Sequence, residues 1–219
     1  MVAGIAPLID ALLVQATLPA GGAAQIPDLL RSLLGAPGVQ GTQGFGKTSP
    51  VTLHAAFNPA KSLLYAYLHL SERAPLTQPA AVALEAALRR EWPLVQHLQV
   101  SRLEKVLDQP GASAGAQPAF HYVVEMDPET GWMPQLADWY DTEHLPGLAQ
   151  VPGCVRASRF LNHDHGPLSL ACYDLVTEDT LGSAPWLAVR ETDWSSRMRP
   201  HFTNTVRTMF SLSANAHHS

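Results

Sequence analysis

One order of elements runs through this chain twice, and that repetition narrows the fold more than any other property of the sequence. In the first half, Ile9–Leu18 is an apolar run closed by Pro19 and the Gly21-Gly22 pair, as a buried strand would be. Ala23–Leu34 then sets Ile26, Leu29, Leu30, Leu33 and Leu34 at helical spacing ahead of a Gly35-Ala36-Pro37-Gly38 stop. Val39–Thr48 reads as a bent, glycine-rich strand and Pro50–Pro59 as a loop. Ser62–Leu70 is an aromatic-rich strand, Gln78–Leu98 a helix that Pro93 must bend or end, and Val100–Leu107 a strand. The second half repeats the order. Ala119–Met126 alternates as a strand, Gly131–Gln150 is a helix stopped by Val151-Pro152-Gly153, and Cys154–Leu161 and Leu168–Val176 are strands. Ala184–Pro200 and Val206–Leu212 supply the last helix and strand.

Between the halves lies Gln-Pro-Gly-Ala-Ser-Ala-Gly-Ala-Gln-Pro (Gln109–Pro118), a small-residue linker. The division expected is therefore a first unit over 1–109, a linker over 110–118 and a second unit over 119–219. Two copies of β-α-β-β-α-β predict an α+β protein of two tandem ferredoxin-like units, each an antiparallel sheet with its helices on one face. The bare faces need cover, and two such sheets facing each other make a barrel of the dimeric α/β kind.

Charge removes several classes. Lys and Arg number 14 against 19 Asp and Glu, a net charge of -5, with no basic run, so the electrostatic footprint of a nucleic-acid partner is missing. No apolar stretch approaches the ~20 residues that span a bilayer. With no basic residue before Arg31, a secretory leader is not indicated and a cytoplasmic location is the expectation. Cys154 and Cys172 each sit in an apolar run and are expected to stay reduced.

Candidate chemistry gathers in Asp138–Phe160, which carries Trp139-Tyr140, Glu143-His144-Leu145-Pro146, Pro152-Gly153 and Arg159-Phe160. This pattern resembles related small proteins of the dimeric α/β-barrel superfamily. Phe120–Phe210 resembles that superfamily, and its first helix the EthD-type branch, whose helical triplet falls here on Leu136, Tyr140 and His144, with Leu136 where that triplet has an aromatic. The resemblance implies a barrel that binds a small apolar or aromatic molecule, as a cofactor-independent monooxygenase, isomerase or cyclase, as a non-catalytic stress or ligand-binding protein, or as a haem-binding tandem barrel. No cofactor is required by the first two readings, and a homodimer is compatible with all three.

On a helix, Leu136, Tyr140 and His144 share one stripe with Trp139 and Glu143 beside it, so His144 near a helix C-terminus, next to Glu143, is the candidate proton carrier at neutral pH. His121 and Glu125 share one strand face, and Arg159 on a neighbouring strand is expected to join them in a polar wall opposite the helices. The expected pocket thus has His144 and Glu143 as catalytic groups and His121, Trp139, Tyr140 and Arg159 as binding groups, with the first half as scaffold. Structural roles compete: the aromatics as core, His144 as a helix cap, His121, Glu125 and Arg159 as an ion-pair cluster. His163-Asp164-His165 has metal-ligand residue types but no third ligand at a recognisable spacing, so no metal site is expected.

Overall fold

β1 (Leu8–Thr17) is apolar without alternation because both its faces are covered. Leu12 and Val14 join the core under the helices, while Ala11 and Leu13 are buried as completely on the other side. The structure, a computed structural model, describes residues 6–36, 39 and 51–212. Apart from Val39, the strand expected at Val39–Thr48 lies outside the described residues. The described chain forms two compact units: one runs to Glu104 and takes in His163–His165, the other comprises Lys105–Asn162 and Gly166–Leu212. The second unit therefore begins ahead of the small-residue stretch, and that stretch is no free tether. Gly111, Ala112 and Ser113 donate backbone hydrogen bonds to Val155, Ala149 and Cys154 of the second unit.

In the first unit, β1 pairs antiparallel with β3 (Leu63–Pro75) and β4 (Gln96–Pro110), and β3 pairs with β2 (Val51–Asn58), giving the order β4-β1-β3-β2. β2 corrects the loop expected at Pro50–Pro59. Its His, Ala and Asn content has weak strand propensity, and pairing along the whole of β2 with β3 overrides it. α1 (Ile26–Gly35) buries Ile26, Leu29, Leu30 and Leu33, the stripe expected. α2 (Gln78–Glu91) buries Ala81, Leu84 and Leu88 and turns Val82 outward. The 163–165 segment is an ion-pair clasp within this unit. Asp164 accepts from the backbone and guanidinium of Arg102 at 2.8 and 2.9 Å, His163 meets Glu104 at 3.0 Å and His165 meets Glu85 at 3.1 Å.

The second unit repeats the plan with β5 (Phe120–Pro128), α3 (Met133–Trp139), α4 (Leu145–Ala149), β6 (Cys154–Asn162), β7 (Ser169–Leu175), α5 (Ala184–Arg190), α6 (Asp193–Met198) and β8 (Phe202–Leu212). β5 pairs with β7 and β8, and β7 with β6, all antiparallel. The order β8-β5-β7-β6 matches the first unit position for position, so the chain is α+β with two tandem ferredoxin-like units. The single helix expected over Ala184–Pro200 is two helices, because Ser183 and Thr192 each cap a new start by accepting from the N–H three residues on. Cys154 lies opposite Leu175 and Cys172 opposite Ser158, which puts them on opposite faces of the sheet; both are buried and neither is in a disulfide.

Gly153 stops the first helical stretch at φ +94, and a Cβ there would lie 2.3 Å from Thr180 Oγ1. Gly115 has nearly the same φ, +93, with open space around it. Gly115→Ala should cost ~1 kcal/mol for the backbone conformation alone, and Gly153→Ala about 3 kcal/mol or more. Urea denaturation midpoints compare them, and equal losses would show that the Thr180 contact is easily relieved.

Candidate functional site

Pro146 has no N–H to return to the carbonyl four residues back, and the helix ahead of it widens. Tyr140–His144 forms a π turn in which the Leu145 N–H donates to Tyr140 O, five residues back. The wide turn moves His144 off the Leu136–Tyr140 stripe and onto Trp139: the two rings stack at 4.0 Å between centroids and 21° between planes. Tyr140 meets the same imidazole edge-on at 5.5 Å. Glu143 turns to α6, where its carboxylate accepts from the Thr192 hydroxyl at 2.7 Å, and the same hydroxyl accepts from Ser195 N to cap that helix.

Strand register decides which sheet residues face these helices. Arg159 lies opposite Ala171, Ala171 opposite Val124, and Val124 opposite Arg207, so these four form one row on the helix side; Ala157, Tyr173, Tyr122 and Met209 form the next. His121 and Glu125 fall on the other face, His121 with Nδ1 2.7 Å from Asp174 Oδ1. A register shift at Val155, between Cys154 and Arg156, sets the parity of Arg159. The expected polar wall is therefore not assembled: Arg159 and His121 are on opposite sides of the sheet. Arg159 is buried under Tyr140, its guanidinium 5.0 Å from the ring centroid, and pairs with Asp141 at 3.3 Å in place of Glu125.

Between helices and sheet lies a narrow cleft, partly open to solvent, with a cavity volume of ≈ 30 Å³. Tyr122, Val124 and Tyr173 form its floor; Trp139, Tyr140, His144 and Leu148 form one wall, and Trp186, Arg190, Arg199, Phe202 and Arg207 complete it. Of the residues expected at the site, Trp139, Tyr140 and His144 line this cleft, whereas Glu143, Arg159 and His121 do not. Trp186, Phe202, Tyr122 and the three arginines were not foreseen. Arg190 follows Trp186 by one helical turn and Arg207 precedes Met209 on one strand face, spacings that would have placed both pairs together.

The cleft is apolar enough to hold its imidazole and its phenols neutral. Burial pushes the His144 imidazole down to about 3, and the charges of Arg190 and Arg199 push the same way. His144 is thus held as a neutral ring at pH 7, because burial outweighs any helix-end preference for the imidazolium. Burial likewise raises the phenols of Tyr140, Tyr173 and Tyr122, the last against the pull of Arg207 and Arg190. Three of the cleft-lining residues carry a ring nitrogen that is closed off from solvent, Trp139 Nε1, Trp186 Nε1 and His144 Nδ1, and none of these has a hydrogen-bond partner among the described residues.

No family profile matches the sequence, and no curated protein matches it. Solved structures do. An anthrone oxidase-like protein superposes with a TM-score of 0.63 at 12% identity over 94% of each chain. A chlorite dismutase from Candidatus Nitrospira defluvii gives 0.57 at 8%, covering 94% of this chain and 92% of that one. A heme-degrading enzyme from Listeria monocytogenes gives 0.52 at 10%, covering 93% and 99%. At these identities the likeness is one of fold, extending over nearly the whole chain.

A His held neutral in the native state makes stability depend on acid. Below the unfolded value near 6.5 the denatured chain takes up a proton that the folded chain refuses, so stability falls as pH drops from about 6.5 toward 3. His144→Gln should remove that component, flattening the decline between pH 7 and 4.5 by up to ~1.4 kcal/mol per pH unit. Urea titrations at several pH values measure both slopes; identical slopes would mean that His144 titrates as an ordinary surface imidazole.

Proposed function

We propose that the second unit binds a small, flat aromatic or apolar molecule in the cleft between its helices and its sheet. The observation that carries this reading is the aromatic-walled cleft itself, whose lining residues Trp139, Trp186 and His144 each keep a buried ring nitrogen, Nε1, Nε1 and Nδ1, without a partner. A buried polar group without a partner costs ~1–3 kcal/mol, and an oxygen-bearing ligand recovers that cost by bonding to it. Aromatic walls with a few fixed polar groups are the usual makeup of a small-molecule site. The resemblance to the EthD-type helix and the fold likeness to an anthrone oxidase-like protein support a cofactor-independent oxygenase as the enzymatic form of this reading. Non-catalytic binding is the second form, and the low basicity of His144 favours it.

Haem fits these residues poorly. Among the described residues His144 is the only imidazole lining the cleft, and a metal-ligating histidine is normally oriented by an acceptor on its second ring nitrogen. Nδ1 of His144 has none, and its ring is laid flat on Trp139.

The test uses 2-naphthol as a flat, hydroxyl-bearing probe, titrated by calorimetry. Saturable binding is expected. Val124→Phe, which places a ring on the cleft floor, should weaken it at least ~10-fold. His121→Gln, on the opposite face of the sheet, should leave it within about 2-fold. Thermal melts confirm that both variants fold. Loss of binding in His121→Gln with none in Val124→Phe would move the site to the other face.

A further inference from the structure

We infer that the ligand of this cleft is an anion, a flat aromatic carboxylate whose charged end is held by Arg190, Arg199 and Arg207. This rests on the binding role proposed above and adds the chemical class. The three guanidinium groups come from three separate elements, α5, the turn after α6 and β8, and all line one cavity with no Asp or Glu among its lining residues. Nor is any of the three neutralised elsewhere. Among the described residues, Arg190 and Arg207 have no ion-pair partner, and Arg199 bonds only neutral oxygens, Ser195 O at 3.3 Å and Ser196 Oγ at 3.4 Å.

Acids outnumber Lys and Arg by 19 to 14 in this chain, and Arg31, Arg73, Arg89, Arg102, Arg156 and Arg159 all reach a carboxylate, whereas the three cleft arginines, like Arg90 and Arg197, do not among the described residues. Concentrating three unpaired cations beside a low-dielectric aromatic cavity is unfavourable by itself, and a bound carboxylate reverses the sign of that effect. Their charge is felt within the site: Arg190 and Arg199 disfavour a charged His144, and Arg207 and Arg190 favour the Tyr122 phenolate. A guanidinium accepts a carboxylate through paired N–H groups, while the unpartnered Trp139, Trp186 and His144 nitrogens suit the neutral part of the same ligand.

The experiment compares 1-naphthoate with 1-naphthalenemethanol, its uncharged counterpart, by calorimetry on the full chain at low and at moderate salt. Naphthoate is expected to bind at least ~10-fold tighter, with the preference shrinking as salt rises. Arg190→Gln and Arg207→Gln should each cut the ratio of the two affinities by about 10-fold, and Arg207→Lys should retain part of it. Melting temperatures and residual binding of the alcohol show that each variant is folded. If both probes bind equally, or if the arginine variants leave the ratio unchanged, the anion assignment is overturned while the cleft remains a binding site. If neither probe binds, the assignment falls together with the binding role.

Discussion

A single missing hydrogen-bond donor organises the second unit. Pro146 interrupts the ladder that would continue the first helix, and the chain answers with the Leu145–Tyr140 bond of a π turn. Everything on the cleft side of that helix follows from the extra residue. His144 comes to rest on Trp139, Tyr140 stays over Arg159, and Glu143 is carried round to Thr192, where it secures the start of α6. Gly147 then lets α4 approach α5 closely, since a Cβ there would sit 2.9 Å from Val189 Cγ1.

The two units share a strand order but fill it differently. Under α1 and α2 the core is Leu29, Leu30, Leu33, Leu84 and Leu88, aliphatic chains that adjust their rotamers to close gaps. Under α3 to α6 it is Tyr122, Trp139, Tyr140, Tyr173 and Trp186, rigid plates whose edge-to-face contacts at 5.2 and 6.2 Å leave space between them. The cavity is thus a property of side-chain shape rather than of topology, and it explains why one repeat carries a candidate site.

Element order was legible because period-2 and period-3.6 patterns persist through the covered faces. β2 was not, since His54, Ala55, Ala56 and Asn58 carry no strand preference and β3 supplies the pairing. Trp139, Tyr140 and His144 were found from their density in one helix. Their company was not: Arg190, Arg199 and Arg207 are isolated in sequence and meet only through the sheet order. Two errors have the same origin in small departures from regular geometry. A stripe drawn at four-residue spacing misplaces His144 when the helix has a π turn, and a register shift beside Val155 puts Arg159 on the face away from His121. The charge of His144 was not legible either, because helix-end electrostatics are worth a fraction of what burial costs an imidazolium.

The clasp at 163–165 gives the first unit a piece of chain far from the rest of it in sequence. Its three side chains are flanked by β6 and β7, strands of the second unit, yet they belong to the first unit and bind Arg102, Glu104 and Glu85 there. Asp164 and Arg102 are nearly inaccessible, and removing either from such a buried pair typically costs ~3–5 kcal/mol. A cut after Glu104 parts the first unit from its clasp, and a cut after His165 keeps the clasp with Arg102 but divides the second unit, so neither unit is one continuous stretch of the polypeptide.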